Sequence, residues 1–278
     1  MIDLDHTSKK IQVGNKYIQT YTFGEGERSI LALASFPHSG LYYRWLLSHQ
    51  DLSKFRFIVF DIPGWIGKSN GYKNGEKCSL FEITDIAEAV FAHYCKPTEK
   101  VGLIGYSFGA PLAIKIASDN PDIIDRLVIV SAIVNTTAIR HKYKTRTEIC
   151  KTLHLGWLIK RRTRNMFKRY SEALVNSEIS DFLTDYGNML EKTDEQVLLD
   201  TIYDIMHIDW TPYLDKIKNK KVLVVNSTKE DKLFREQARI IRLKLNHDMS
   251  MYLDGNHSDF LLKPDDDVLK QILDFLDC

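Results

Sequence analysis

The sequence predicts an α/β fold: a mostly parallel sheet of eight strands, helices on both of its faces, and a helical cap inserted after the sixth strand. Three observations carry this expectation. Short runs of β-branched and aliphatic residues alternate with helical patterns, as successive βα units do. Several of the later runs are apolar at nearly every position, as strands are when helices cover both faces of a sheet. Between Ser131 and Val222 the alternation stops, and no strand pattern returns until the sheet resumes.

The first two strands, 10–13 and 17–23, are joined by Gly14-Asn15, a hairpin signal. The remaining strands are expected at 30–35, 57–61, 101–105, 127–131, 222–226 and 249–253. Ser79-Leu-Phe-Glu82 is a capping box that opens a helix running to about Tyr94, and 109–118, rich in Ala and Ile, reads as a helix packed close to the sheet. In the insertion, Ile179, Phe182, Leu183, Tyr186, Met189 and Leu190 recur at helical spacing, and Thr193-Asp-Glu-Gln196 caps a second helix carrying Val197, Ile202 and Ile205. Leu153, Leu155, Trp157, Leu158 and Ile159 hint at an apolar lid segment but read first as an ordinary buried helix. Pro264 would start the last helix, turning Val268, Ile272 and Phe275 inward. The organisation expected is a core of residues 1–134 and 216–278 interrupted by a cap over 135–215.

Composition excludes several classes. With 278 residues, 44% hydrophobic and 27% charged, the chain is neither disordered, collagen-like nor a disulfide scaffold. Its 38 Lys and Arg against 37 Asp and Glu leave a net charge of +1, so no global field drives it onto nucleic acid or an anionic membrane, and any such partner would need a local patch. The charge is instead split locally. Residues 140–170 hold 11 Lys or Arg against one acid, Glu148, whereas 171–210 hold 10 acids against one base, Lys192. Neighbouring blocks of opposite sign are expected first to pair with each other, ahead of holding an anionic substrate or lying on a partner surface. The opening Met1-Ile-Asp-Leu-Asp lacks the apolar run of a secretory signal, and no stretch approaches the roughly 18 apolar residues of a membrane span. Cys78, Cys95, Cys150 and Cys278 are scattered with no C-x-x-C spacing, which speaks against a zinc site and a disulfide framework. A cytoplasmic monomer or homodimer without stable membrane insertion is the expectation.

The chemistry centres on Gly105-Tyr-Ser-Phe-Gly109, which follows an apolar strand and opens a helix. That context makes G-x-S-x-G a nucleophile elbow: Ser107 sits on a strained turn, and the glycines let strand and helix approach without Cβ clashes. Such a serine needs a base and an acid from later strand ends, in the order Ser, acid, His. His257, in Gly255-Asn-His257 after the last strand, is the base in this reading, and His38 is the histidine nearest to it in context. Two neighbours compete for the acid after strand 222–226. Counting from the strand end without a gap favours Glu230. The following Asp-Lys-Leu-Phe and the commoner use of the shorter carboxylate favour Asp231, which is preferred.

With these residues in view, the chain resembles the α/β-hydrolase fold superfamily, in its capped serine hydrolase branch, over residues 10–278. The loop Ala34-Ser-Phe-Pro-His-Ser39 is similar to that family's His-Gly-x-Pro-Gly-Ser segment, and Asp61-Ile-Pro-Gly-Trp-Ile-Gly-Lys-Ser69 to its Asp-x-Pro-Gly-x-Gly-x-Ser loop. Ala34-Ser35 stands where the family has His-Gly, His38 where it has Gly, and Trp65-Ile66 adds one residue. The resemblance implies an oxyanion hole from the main-chain N–H groups of Phe36 and Phe108. It implies a serine hydrolase acting on a carboxylic ester or thioester of a small, fairly apolar substrate through an acyl-enzyme on Ser107, with neither metal nor organic cofactor. Acyl transfer, carbon–carbon bond hydrolysis and a non-catalytic ligand-binding protein are the alternatives on the same fold. Aspartate-nucleophile chemistry is disfavoured because a serine occupies the elbow.

Overall fold

The computed structural model describes residues 6–48, 50–70, 72, 76–137, 139, 141–173, 187, 189–246, 249–263 and 265–277. Eight strands form one sheet: β1 (His6–Val13), β2 (Lys16–Phe23), β3 (Arg28–Leu33), β4 (Phe55–Phe60), β5 (Val101–Tyr106), β6 (Ile124–Val130), β7 (Lys221–Ser227) and β8 (Ser250–Leu253). Their order is β1-β2-β4-β3-β5-β6-β7-β8. Only the β1–β2 and β2–β4 pairs are antiparallel; from β4 to β8 every pair is parallel. Gly14, at φ +59°, makes the β1–β2 turn.

Alternation along the central strands divides the core in two. Leu31, Leu33, Ile58, Phe60, Leu127 and Ile129 join one buried cluster, and Ile30, Ala32, Phe57, Val59, Val128 and Val130 join the other. Against the first cluster pack α2 (Leu80–Tyr94) and α3 (Gly109–Asp119). The second is covered by the short α1 (Tyr43–Leu47) and by the carboxy-terminal segment. As expected, Ser79 caps α2, its hydroxyl accepting the Glu82 N–H at 3.1 Å.

Between β6 and β7 the chain is helical: α4 (His141–Thr152), α5 (Gly156–Ala173), a 3₁₀ turn at Leu190–Lys192, α6 (Glu195–His207) and α7 (Thr211–Lys216). The periodic residues Ile179, Phe182, Leu183 and Tyr186 lie outside the described residues. Asp194, not Thr193, caps α6, accepting the N–H groups of Gln196 and Val197 at 2.8 and 3.0 Å. Thr193 instead turns its hydroxyl onto the Leu190 carbonyl. The two charge blocks meet here. Lys151 pairs with Asp200 at 2.8 Å and Lys160 with Glu195 at 3.6 Å, and Arg164 pairs with Glu191. The expectation that 153–159 forms an ordinary buried helix is corrected, because Leu153 and Trp157 face solvent. After β7 come α8 (Lys232–Leu245), α9 (Asp259–Leu262) and α10 (Asp266–Asp277). Pro264 lies outside the described residues, and Asp265 caps α10 through the N–H groups of Asp267 and Val268.

Candidate active site

The turn from β5 into α3 is as tight as its glycines allow. Ser107 takes φ +54°, a left-handed conformation that costs a non-glycine residue about 1–2 kcal/mol. It is held there by its own N–H donating to the Val130 carbonyl at 2.8 Å and by the Ala110 N–H donating to its carbonyl at 3.2 Å. A Cβ on Gly105 would lie 2.6 Å from the Ala110 Cα, and one on Gly109 would lie 2.3 Å from the Leu33 carbonyl oxygen. Helix and strand therefore touch through bare backbone. The serine hydroxyl is lifted above the carboxyl ends of the parallel strands, the edge where open α/β sheets bind ligands.

His257 arrives from the loop after β8. Its ring nitrogen Nε2 lies 3.0 Å from Ser107 Oγ, and Nδ1 lies 3.2 Å from Glu230 Oε1. The Glu230 carboxyl is buried. Burial alone would raise its pKa, but the hydrogen bond with His257, the Ser131 hydroxyl beside it and the Asn226 amide outweigh burial and hold it below the usual carboxylate range. An ionised carboxylate only accepts, so Nδ1 carries the ring proton and Nε2 is left to accept from the serine hydroxyl. The result is a directed chain, Ser107 to His257 to Glu230. The expectation for Asp231 is corrected: it stands at the position before the first turn of α8 and is exposed, while the adjacent residue reaches the imidazole. A longer side chain set one residue closer to the strand end spans the gap.

Sequence reasoning missed the residues that hold this chain in place. Asn226 Nδ2 donates to Glu230 Oε2 at 2.8 Å, leaving Oε1 for the histidine, and Arg235 Nη1 fixes the Glu230 carbonyl at 2.8 Å. Phe234 stacks on the His257 ring at 4.1 Å between centroids. The Tyr106 hydroxyl donates to the His257 carbonyl at 2.6 Å. Asp259 accepts the Asn256 N–H at 2.7 Å and occupies the space a Cβ on Gly255, at φ +151°, would need. One signal was available: Asn226 is a polar residue closing an otherwise apolar strand.

The loop after β3 comes to the elbow from the other side, with the rings of Phe36 and Phe108 stacked at 4.8 Å. Neither residue's N–H is taken by a protein carbonyl among the described residues. Ser35 is not among the described non-glycine residues at positive φ. Asp61 anchors this loop. Its buried carboxylate accepts from the Ser39 hydroxyl, the Gly40 N–H at 3.1 Å, the Lys68 N–H at 2.7 Å and the Tyr21 hydroxyl at 2.9 Å. Burial nevertheless raises its pKa. His38 stacks on Tyr42 at 4.5 Å, and burial, then the nearby His257, push its pKa down to about 3. Trp65 is buried, edge-on to Phe36 at 5.2 Å, and its Nε1–H donates to Thr201 of α6 at 3.2 Å. It thus joins the loops around the elbow to the helices between β6 and β7. Among the described residues no cluster of His, Cys, Asp or Glu is arranged to hold a metal ion.

Among known proteins, the chain is 26% identical over 111 residues to a pimeloyl-[acyl-carrier protein] methyl ester esterase of Proteus mirabilis, a stretch that is 40% of this chain and 39% of that one. It is 30% identical over 107 residues, 37% of each chain, to a monoglyceride lipase homolog of monkeypox virus. The chain thus spans about two fifths of the curated relatives it matches. Among solved structures it superposes on an esterase from Exiguobacterium antarcticum with a TM-score of 0.74 at 17% identity, covering 98% of this chain and 100% of the other, a likeness of fold. The family described as alpha/beta hydrolase fold matches residues 29–264, which take in the six strands from β3 to β8 and both loops that meet at Ser107. The chain belongs to the α/β-hydrolase fold family.

Proposed function

We propose that the protein is a serine hydrolase that cleaves a carboxylic ester or thioester of a small, fairly apolar substrate. The observation that carries this reading is the directed hydrogen-bond chain from a strained Ser107 through His257 to a buried, ionised Glu230. Membership of a hydrolase family that includes esterases supports the same class. Ser107 Oγ attacks the carbonyl carbon while His257 Nε2 takes its proton, and Glu230 stabilises the imidazolium that forms. The Phe36 and Phe108 N–H groups donate to the developing oxyanion, each contributing about 3–4 kcal/mol of transition-state stabilisation. His257 then returns the proton to the departing alcohol or thiol, leaving an acyl group on Ser107. Water, deprotonated by His257 in the same way, releases the acid and restores the serine. The helices between β6 and β7, over residues 135–215, act as a cap that sets which acyl chains enter, with Trp65 and Phe36 forming part of the wall.

A panel of p-nitrophenyl and coenzyme A acyl esters of graded chain length tests the reading. Turnover is expected on at least one of them, and Ser107→Ala is expected to lower it by several orders of magnitude while the protein still folds, because the three groups act as one unit. A Ser107→Ala variant that kept about a tenth of the rate would remove the serine from the mechanism.

A further inference from the structure

The outer face of the helices between β6 and β7 carries a feature the hydrolase chemistry does not use. Ile149, Leu153 and Trp157 are 50%, 62% and 48% exposed. All three sit at the corner where α4 gives way to α5. The Leu153 N–H donates to the Ile149 carbonyl at 3.0 Å, and His154, at φ +51°, breaks the helical run between α4 and α5. Cations flank the corner on both sides: exposed Lys142 and Arg146 lie about two turns and one turn before Ile149, and exposed Arg161 and Arg162 lie about one turn after Trp157. Lys151 and Lys160, which turn inward, are matched by Asp200 and Glu195, the exposed Arg164 is matched by Glu191, and Glu148 is drawn to His207 at 3.2 Å. Among the described residues, no carboxylate pairs with Arg146, Arg161 or Arg162.

We propose that this corner docks the protein onto an anionic phospholipid surface, with Leu153, Trp157 and Ile149 entering the headgroup region and the arginines meeting lipid phosphates. Charge complementarity selects the occupant, since the surplus is cationic here although the whole chain is nearly neutral. The shape of the patch favours lipid over an acidic protein. Three apolar side chains on a single corner fall short of the roughly 800 Å² per partner of a specific protein interface. They suit shallow insertion, with an indole at the depth it prefers. The inference is independent of Ser107.

Trp157 supplies its own probe, because it is the exposed one of the four tryptophans: Trp65 and Trp210 are buried and Trp45 is half-buried. Vesicles of phosphatidylcholine and phosphatidylserine with brominated acyl chains are expected to quench its fluorescence, and vesicles of phosphatidylcholine alone are not. Trp157→Phe should abolish the quenching. Arg146→Gln with Arg161→Gln should weaken binding about 25-fold, given roughly fivefold per cation near an anionic surface, and should flatten its salt dependence. Leu153→Glu should weaken binding while the melting temperature and far-ultraviolet circular dichroism stay unchanged. The proposal is overturned by an absence of quenching, by equal quenching on phosphatidylcholine alone, or by capture on polyglutamate without vesicle binding.

Discussion

Asn226 is a buried amide with one face satisfied and one not. Its Nδ2 donates to Glu230, while its Oδ1 is buried without a hydrogen-bond partner. An unmet buried acceptor costs about 1–3 kcal/mol, so the amide is kept for what its other end does: it fixes which Glu230 oxygen faces the histidine. At this scale the sequence was legible where a residue type has one plausible use in its context, as with Ser107 and His257. It was not legible where two carboxylates adjoin, because neither motif nor spacing records which of them the turn after β7 directs inward. His38 was noticed only for its place in the loop, yet it gives the fold a measurable acid sensitivity. Held neutral with a pKa of about 3 against an ordinary 6.5, it binds fewer protons folded than unfolded throughout that interval. Stability therefore falls as pH falls from the upper value toward the lower. Urea midpoints taken from neutral to acid pH should decline less steeply in His38→Phe than in the wild type. An identical decline would mean that His38 titrates normally in the folded protein.

The strands were readable because burial on both faces leaves an unbroken apolar run, and the observed bounds differ from the expected ones mainly by short polar extensions such as His6 to Lys9 on β1. Helix α4 was not readable, because Thr147 is its buried residue and no apolar stripe marks it. Charge pairs and contact with α6 hold it instead. Helix α8 was overlooked because its start was read only for the acid. Its buried Gln237 has a structural use no pattern announces. The side-chain oxygen accepts the N–H groups of Val134 and Asn135 at 2.9 and 2.7 Å, and Nε2 donates to the Asn135 carbonyl at 2.8 Å. These bonds clamp the chain where it leaves β6 for the inserted helices. Gln237→Leu keeps the volume but takes the acceptor from the buried Val134 N–H and the part-buried Asn135 N–H, and is expected to cost about 1–3 kcal/mol in urea unfolding. A cost below about 0.5 kcal/mol would show that water reaches the clamp.

For the molecule as a whole, the division of charge across the inserted helices has a structural explanation. Three described pairs join the basic block to the acidic one, so part of the cationic charge is spent within the chain. Salt should then lower the melting temperature slightly, since an exposed pair such as Arg164–Glu191 contributes only about 0.2–1 kcal/mol and the other two pairs, each with one buried partner, are screened less. KM for matched anionic and neutral esters should respond alike to salt, whereas long-range capture of an anionic substrate would weaken as the Debye length falls from about 10 Å at 0.1 M to 3 Å at 1 M. A salt-dependent KM confined to anionic esters would assign the basic block to substrate capture.

The central claim is that Ser107 is activated through His257 by Glu230, and the rate of fluorophosphonate adduct formation tests it most directly. The wild type should label rapidly and Ser107→Ala not at all. Glu230→Gln should label at least about 100-fold more slowly, because the imidazole loses its orienting carboxylate, and Asp231→Asn should label at the wild-type rate. Wild-type labelling by Glu230→Gln together with loss of labelling in Asp231→Asn would contradict the account, and an unlabelled wild type would leave the fold without an activated serine.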